Sequence, residues 1–436
     1  MKITRRNFLG ASAAAVTVAG MKAQGAVFGA NERIRMCTIG FHGQGQSHIR
    51  DILEQGGEIV ALCDVDERVR KFGGRRLERE TGKAPKLYED MQDVMADDDI
   101  DAVSIATPNH WHALAAIWAC QAGKDVYVEK PLSHNIWEGR QLVAAAEKHG
   151  RIVMHGTQQR SNNTMIRDMK LLHDGFIGKI VHSRGVVYKN GNRYAIGHGA
   201  PEEPPEFLNY PLWQGPAQDQ PFLINKDARR KSGLFVHYNW HWFWEWGNGE
   251  IGNQGVHEVD VAAWAHGDRL PVKVSSTGGR YAWDDDGETP NTQATHFTYD
   301  DGTMMTCEVR NLGSFKEADA GACTNSAFGT EGYWVRGKGF FDYKDEPIEV
   351  AEEKPEGMSK FAHFFKACKS RKAEDVTAPV LPGHIACVHC HLGNVAYRLG
   401  RTLTFDPQSE TFGDDAEANK LLKRDYREGF EVPQLA

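Results

Sequence analysis

Between Arg33 and His155 the apolar residues fall in short runs separated by amphipathic stretches, which predicts strands alternating with helices. Ile34 to Ile39 alternates apolar and polar positions and runs into the turn Gly40-Phe-His-Gly-Gln-Gly45; Ser47 to Gln55 then carries helical spacing. Glu58 to Asp64 is a second strand that ends in a carboxylate. Asp101 to Ala106 is a third, ending at Thr107-Pro108-Asn109 with His112 beyond, and an Ala-rich helix follows to Gln121. Asp125 to Val128 then leads into Glu129-Lys130-Pro131. Short apolar strands joined by helices predict an α/β fold, a doubly wound parallel sheet of the Rossmann type.

The period changes after residue 155. Residues 165–175 read as a helix, and Lys179 to Tyr188 opens a second sheet. Val272 to Tyr281, Thr292 to Tyr299 and Met304 to Val309 alternate as antiparallel strands, with Asp300-Asp301-Gly302 as a hairpin turn and Phe328 to Val335 continuing them. Helices are expected over 357–370 and 383–398. The predicted organisation is a leader over 1–30, a nucleotide-binding domain over 31–155 and a C-terminal α+β domain over 156–436.

Composition narrows the partners. The 436 residues carry 51 − 59 = −8 charges, and no long Lys/Arg tract overrides that acidic balance, so nucleic acid is set aside. No run approaches the roughly 18 apolar residues of a membrane span. Thr4-Arg5-Arg6-Asn7-Phe8-Leu9, followed by the small apolar run Ala11 to Gly20, resembles a twin-arginine export signal, which predicts a periplasmic or otherwise exported protein. Such export carries folded chains, so a cofactor would be inserted beforehand. Cys387-Val-His-Cys390-His391 matches the spacing of covalent haem attachment. The helical spacing from Gly383 to Ala396 reads it as core packing instead.

The glycine turn is the first candidate chemistry. A tight turn before a helix aims backbone N–H groups and the helix N-terminus at a pyrophosphate, and an acid about 20 residues on takes the ribose hydroxyls. Gly40, Gly43 and Gly45 with Asp64, 24 residues after Gly40, fit that scheme. The departure is His42, which stands where a second glycine is usual. Either Gly43 takes over the close approach to the pyrophosphate, or His42 sits beside it.

These stretches resemble the Gfo/Idh/MocA family of glucose–fructose oxidoreductases, inositol dehydrogenases and rhizopine-catabolism proteins. The matching residues are the glycine turn, Cys63-Asp64-Val-Asp66, Thr107-Pro-Asn109 with His112, Glu129-Lys130-Pro131, and Gly252-Asn-Gln-Gly-Val-His257-Glu-Val-Asp260. Asn209 to Ala217 and His391 to Arg401 are similar to an exported branch. The resemblance implies a Rossmann domain and a C-terminal domain built on a large, mostly antiparallel sheet, whose outer face serves homo-oligomer contacts. It implies NAD as cofactor, with NADP as the alternative, and a sugar, sugar derivative or cyclitol as substrate. Thr107, Asn109, His112 and Glu129 would join the glycine turn and Asp64 in the cofactor site. Lys130 would lie by the nicotinamide and the substrate hydroxyl, and His257 would carry the proton.

The residues themselves suit that chemistry. Removing hydride from a carbinol needs a base for the hydroxyl proton and a cation for the developing alkoxide. Lys130 at a strand end suits the second task, and His257 the first. Asn253, His257 and Asp260 follow i, i+4, i+7 on one helix face, where Asp260 would orient the imidazole and Asn253 bind a hydroxyl. Many family members have Asp at position 253, so the missing carboxylate passes its role to His257, Lys130 or Glu250. Between Gly233 and Trp246 the chain is densely aromatic. The tryptophans are expected in a core, whereas His237, Tyr238 and His241 are equally placed to pack there or to meet a sugar ring. A zinc site from His237 and His241 lacks further ligands in the pattern, and no metal is expected. The expected function is an NAD(P)-dependent oxidoreductase with tightly bound cofactor; the alternative is redox-neutral glycoside cleavage through a transient keto-sugar.

Overall fold

A computed structural model describes residues 33–189, 195–226, 235–313, 322–351 and 359–436. The twin-arginine stretch lies outside the described residues.

The first half follows the predicted alternation: β1 (Arg35–Ile39), α1 (Gly45–Glu54), β2 (Glu58–Cys63), α2 (Glu67–Thr81), β3 (Lys86–Tyr88), α3 (Met91–Ala96), β4 (Ala102–Ile105), α4 (Asn109–Gln121), β5 (Asp125–Val128), α5 (Ile136–His149) and β6 (Val153–His155). All six strands are parallel, in the order β3-β2-β1-β4-β5-β6. The order reverses direction at β1 and β4, so the crevice for a ligand opens beyond their carboxyl ends. Side-chain caps start the helices. Asp66 accepts from Arg68 N (2.9 Å) at α2, and Asn135 accepts from Glu138 N (2.9 Å) at α5.

The second half begins with α6 (Asn163–His173), β7 (His182–Tyr188), the short pair β8 (Ala200–Pro201) and β9 (Leu223–Ile224), and α7 (Tyr210–Gln214) between them. Next come α8 (Gly249–Asn253) and α9 (Gly255–Ala265), then β10 (Lys273–Gly279), β11 (Thr292–Thr298), β12 (Met304–Arg310), β13 (Cys323–Phe328), β14 (Tyr333–Val335), β15 (Gly339–Phe341) and β16 (Pro347–Ile348). The chain closes with α10 (Lys360–Ser370), α11 (Val380–Leu399), β17 (Leu403–Thr404) and α12 (Ala416–Asn419). Nine strands form the sheet β16-β15-β14-β13-β7-β12-β11-β10-β17, antiparallel except for the parallel pairing of β7 with β12. Helices α9 and α11 lie against one face of it, and α11 also packs on α5. That arrangement joins the two halves through one continuous core.

The sequence division at residue 155 separates the sheets but not the cores. Phe361, Phe364 and Phe365 of α10 pack with Ile34, Met36, Ile52 and Tyr127, so this C-terminal helix covers a face of the first sheet. The shared packing has a simple cause: β5 and β6 need an apolar cover on that face, and α10 supplies it. Helices α8 and α9 meet at Gln254, whose backbone is in the right-handed helical region (φ −87°, ψ −35°).

Candidate functional site

A cleft of about 700 Å³ runs along the carboxyl edge of the first sheet and under the second half. Its size is within the range of small-molecule sites. The glycine turn forms its floor. Gly40 has φ +75°, and a Cβ there would meet Thr107 N at 2.8 Å; a Cβ on Gly45 would meet Gly40 O at 2.2 Å. Both glycines are dictated by backbone approach at the start of α1. Gly43 is exposed and has nothing within 4 Å of its Cβ direction, so a ligand is free to approach the backbone there. The turn thus has the form that holds a pyrophosphate against N–H groups and a helix N-terminus.

Asp64 follows β2 and ties the turn down. One carboxylate oxygen accepts from Phe41 N (3.0 Å) and the other from Asp66 N (3.0 Å), and burial raises its pKa. Each oxygen keeps a second acceptor site for a ribose hydroxyl. The Arg68 guanidinium is taken up by Asp66 (Nη2–Oδ2 2.9 Å) and lies 3.3 Å over the Phe207 ring.

Beside the turn stand the residues of β5 and the loop after it. Glu129 is buried, with His48 Nε2 3.0 Å from its carboxylate, and the His48 hydrogen bond and the Lys130 ammonium hold its pKa far below the usual carboxylate range despite burial. Gln44 of the glycine turn and Gln158 also donate to it, each at 3.5 Å. Glu129 therefore braces the turn. The nitrogens of His112 lie 2.6 Å from Pro131 O and 2.8 Å from Thr107 O, so the ring ties together the ends of β4 and β5. Asn109 Nδ2 donates to Asn248 Oδ1 at 3.0 Å and braces the second half against the first. Thr107, Asn109, His112 and Glu129 all border the cleft.

Lys130 Nζ donates to Asn253 Oδ1 (3.2 Å), and Asn253 Nδ2 donates to Glu250 Oε2 (3.4 Å). Asn311 donates to the same Glu250 oxygen at 3.3 Å. His257 lines the cleft beside this row. Burial and then the Lys130 ammonium push its pKa down to about 3, so the imidazole is neutral at pH 7. An acceptor nitrogen, an ammonium and an amide thus converge at one end of the cleft.

Two placements differ from the sequence reading. Asp260 does not orient His257. Its carboxylate is fully buried on Arg160 (2.7 Å), which also holds Asp268 (2.6 Å), so within α9 the guanidinium and not the imidazole takes up the carboxylate. His237, equally placed by the sequence for the core or a sugar ring, lines the cleft at the turn: its Nε2 is 3.3 Å from Asp66 Oδ2, and its ring meets His42 edge to face at 4.3 Å. His241 stacks on Trp240 at 3.6 Å with Nδ1 2.6 Å from Tyr238 O. The two histidines thus have separate surroundings. Among the described residues no group of three or more His, Cys, Asp or Glu is assembled to hold a metal, and no helix among them is long and apolar enough to cross a membrane.

Residues that the sequence did not single out also border the cleft, among them Gln44, Gln158, Trp213, Gln254 and Lys360. Gln44 was open to detection from its place in the turn. Lys360, some 230 residues from Lys130, carried no local signal. Cys387 and Cys390 are core residues, as the helical spacing implied: Leu132 N donates to Cys387 Sγ (3.1 Å), and Cys390 Sγ contacts Ile251 O (3.3 Å).

Residues 34–157 match the family described as oxidoreductase family, NAD-binding Rossmann fold, and residues 162–432 match oxidoreductase family, C-terminal alpha/beta domain. Among curated proteins, a glycosyl hydrolase family 109 protein of Shewanella pealeana is 28% identical over 206 residues, 42% of this chain and 45% of its own. A 2,7-anhydro-N-acetylneuraminate hydratase of Mediterraneibacter gnavus is 24% identical over 229 residues, 52% of this chain and 48% of its own. The chain spans about half the length of these curated relatives. The WlbA dehydrogenase of Bordetella pertussis, solved with NADH and UDP-GlcNAcA, superposes with a TM-score of 0.62 at 19% identity, covering 86% of this chain and 99% of that one. An aldose-aldose oxidoreductase of Caulobacter crescentus, solved with glycerol, gives 0.60 at 16% identity, covering 86% and 100%. At such identities the likeness is one of fold. With both halves matched, and with a glycine turn shaped for a dinucleotide, the chain belongs to the Gfo/Idh/MocA family of NAD-binding oxidoreductases.

Proposed function

We propose that the protein is an NAD-dependent oxidoreductase acting on a CH–OH group of a sugar, sugar derivative or cyclitol. The observation that carries this reading is the meeting of Lys130, Asn253 and His257 in the same cleft that the glycine turn borders. Gly40, Gly43, Gly45 and Asp64 suit the pyrophosphate and adenosine ribose. NAD held there would supply the hydride acceptor or donor. The chain's own groups do the rest. Lys130 Nζ holds the reacting oxygen and stabilises negative charge as it develops. Neutral His257 accepts the hydroxyl proton on oxidation and returns it on reduction. Asn253 fixes a neighbouring hydroxyl; it has no proton to exchange at neutral pH. The carbon gives up one hydride and the oxygen one proton, leaving a carbonyl. Single-turnover reduction of bound NAD by a panel of sugars, uronates, cyclitols and glycosides tests the reading. No reduction by any of them, with NAD demonstrably bound, would refute it.

A second reading is favoured by the relatives named glycosyl hydrolase and hydratase, together with Asn253 in place of a carboxylate. In it the oxidised carbon acidifies its neighbouring C–H, a leaving group is expelled, and the hydride returns to the sugar. Product analysis separates the two: a stable ketone for net oxidation, a released alcohol or aglycone without net cofactor change for cleavage.

Export through the twin-arginine signal and a cofactor retained from the cytoplasm complete the proposal. NAD recovered from denatured, exported protein would support both. A homo-oligomer through the nine-stranded sheet is supported by its outer face, where His182, Phe328, Tyr333 and Phe341 stack in a row across four strands. Tyr343 at its edge is 59% exposed. Tyr333→Glu should dissociate such an assembly in sedimentation; a wild-type monomer would exclude it.

A further inference from the structure

Several parts of the second half converge on the adenosine end of the cleft, away from the chemistry. The buried aromatic cluster of Tyr210, Trp213, Phe235, Trp240, Trp242 and Trp246 carries Val65, from the loop after β2, on its edge. Backbone hydrogen bonds fasten that loop to the cluster from below: Glu67 N donates to Phe207 O (2.8 Å) and Asn209 N to Val65 O (3.1 Å). His110 Nε2 lies 3.0 Å from Trp213 O, and Trp111 Nε1 donates to the same oxygen at 3.0 Å, fastening it again at the start of α4. Val236, His237, Trp240 and His241 therefore face Gly40, Gly43 and Asp64 across the cleft. A roof fixed at both β2 and β4 covers the crevice between them.

One contact crosses the cleft from roof to turn. His42, which stands where a small residue is usual, presents its ring edge to face with His237 at 4.3 Å, and His237 Nε2 lies 3.3 Å from Asp66 Oδ2. Asp66 is fully buried, caps α2, and holds its carboxylate in place through Arg68. We propose that His42 and His237 form a latch across the pyrophosphate region of the cleft, with Asp66 as its anchor, so that dinucleotide exchange requires the His42–His237 contact to open. This rests on the reading of the cleft as an NAD site and adds to it that the latch governs the rate of release. His42 thus replaces a glycine with a ring that closes over the bound dinucleotide.

The test is the release rate of NAD from the full-length protein, followed by displacement with a fluorescent analogue and by nucleotide content after dialysis. His237→Ala should accelerate release about tenfold, the scale of one edge-to-face ring contact aided by a carboxylate. His42→Gly, which restores the usual turn residue, should accelerate it to a similar extent. The double variant should release no faster than either single one, because both break the same contact. His237→Phe keeps the ring but loses the nitrogen that meets Asp66, so its release rate should fall between wild type and His237→Ala. Circular dichroism and thermal midpoint report folding in each variant. Unchanged release in His42→Gly and His237→Ala, or fully additive effects, would overturn the latch while leaving the site intact. Wild-type protein that neither retains nor binds NAD would overturn the site reading and the latch with it.

Discussion

Replacing Lys130 by methionine keeps the length of the side chain and removes its charge. An alkoxide oxygen lodged about 3 Å from Nζ gains roughly 5 kcal/mol from the ammonium at an effective dielectric of about 20. The transition state carries only part of that charge, which leaves about 3–5 kcal/mol. The rate of hydride transfer should therefore fall by about two to four orders of magnitude. The same substitution has a second signature. The Lys130 ammonium is, after burial, the next largest influence holding the His257 pKa down at about 3. Without it the imidazolium is less disfavoured, so the His257 pKa must rise toward its ordinary value, and histidine resonances in an NMR titration report that directly. The kinetic assay is single-turnover growth of reduced-nicotinamide absorbance on mixing sugar with NAD-loaded protein. NAD affinity, set by the glycine turn, should change by less than about threefold in calorimetry. A rate within tenfold of wild type in both Lys130→Met and His257→Ala would refute the assignment of the pair. A His257 pKa unmoved in Lys130→Met would refute the electrostatic coupling.

Gly45→Ala should abolish NAD retention, since the added Cβ would lie 2.2 Å from Gly40 O and α1 would have to move off the turn; nucleotide bound at wild-type stoichiometry would contradict this. NADH should bind more tightly than NADPH, because Asp64 repels a 2′-phosphate and Arg68 is held by Asp66; calorimetry giving the reverse order would refute it. Burial raises the Glu258 pKa from 4.5 to about 7. The stability it contributes is complete below about pH 4.5 and is lost as pH rises through 7, so Glu258→Gln should gain on wild type by up to about 3 kcal/mol between those limits. A stability difference that does not vary with pH would rule this out.

The first sheet was legible because its signals are local. The four strands expected there, β1, β2, β4 and β5, are largely buried and read as short apolar runs, and the glycine turn carries residues demanded by backbone approach at Gly40 and Gly45. The exposed β3 and the three-residue β6 carry no such run and were not expected. The antiparallel strands were legible from their alternation. The expected boundaries at Val272–Tyr281 and Met304–Val309 come within two residues of β10 and β12 at each end. What escaped were features set by packing at a distance. Asp260 keeps its helical spacing from His257 within α9, but its carboxylate is taken by Arg160, and no periodicity argument contains Arg160. The role of α10 was equally hidden. Its phenylalanines have helical spacing, but their partners are Met36, Ile52 and Tyr127, more than 230 residues earlier.

The helix that carries the misleading haem-like spacing shows why buried polar atoms matter more than motif identity. Cys387 Sγ accepts from Leu132 N, His391 Nε2 lies 3.3 Å from Ser133 Oγ, and Asn394 Nδ2 donates to Asn248 O at 2.9 Å. Cys390 meets Ile251 O. Four side chains on one face of α11 thus satisfy the loop after Lys130 on one side and the segment before Asn253 on the other. Each of those groups is buried and would be costly to leave unpaired. The two segments lie more than 100 residues apart in the chain and have no covalent reason to keep a fixed separation. Helix α11 spans both, so the 3.2 Å contact of Lys130 with Asn253 is set by a rigid element and not by the loops that bear the two residues. A C-x-x-C-H sequence is therefore accounted for here by the geometry of the site it supports, with its sulfurs as weak hydrogen-bonding partners inside the core.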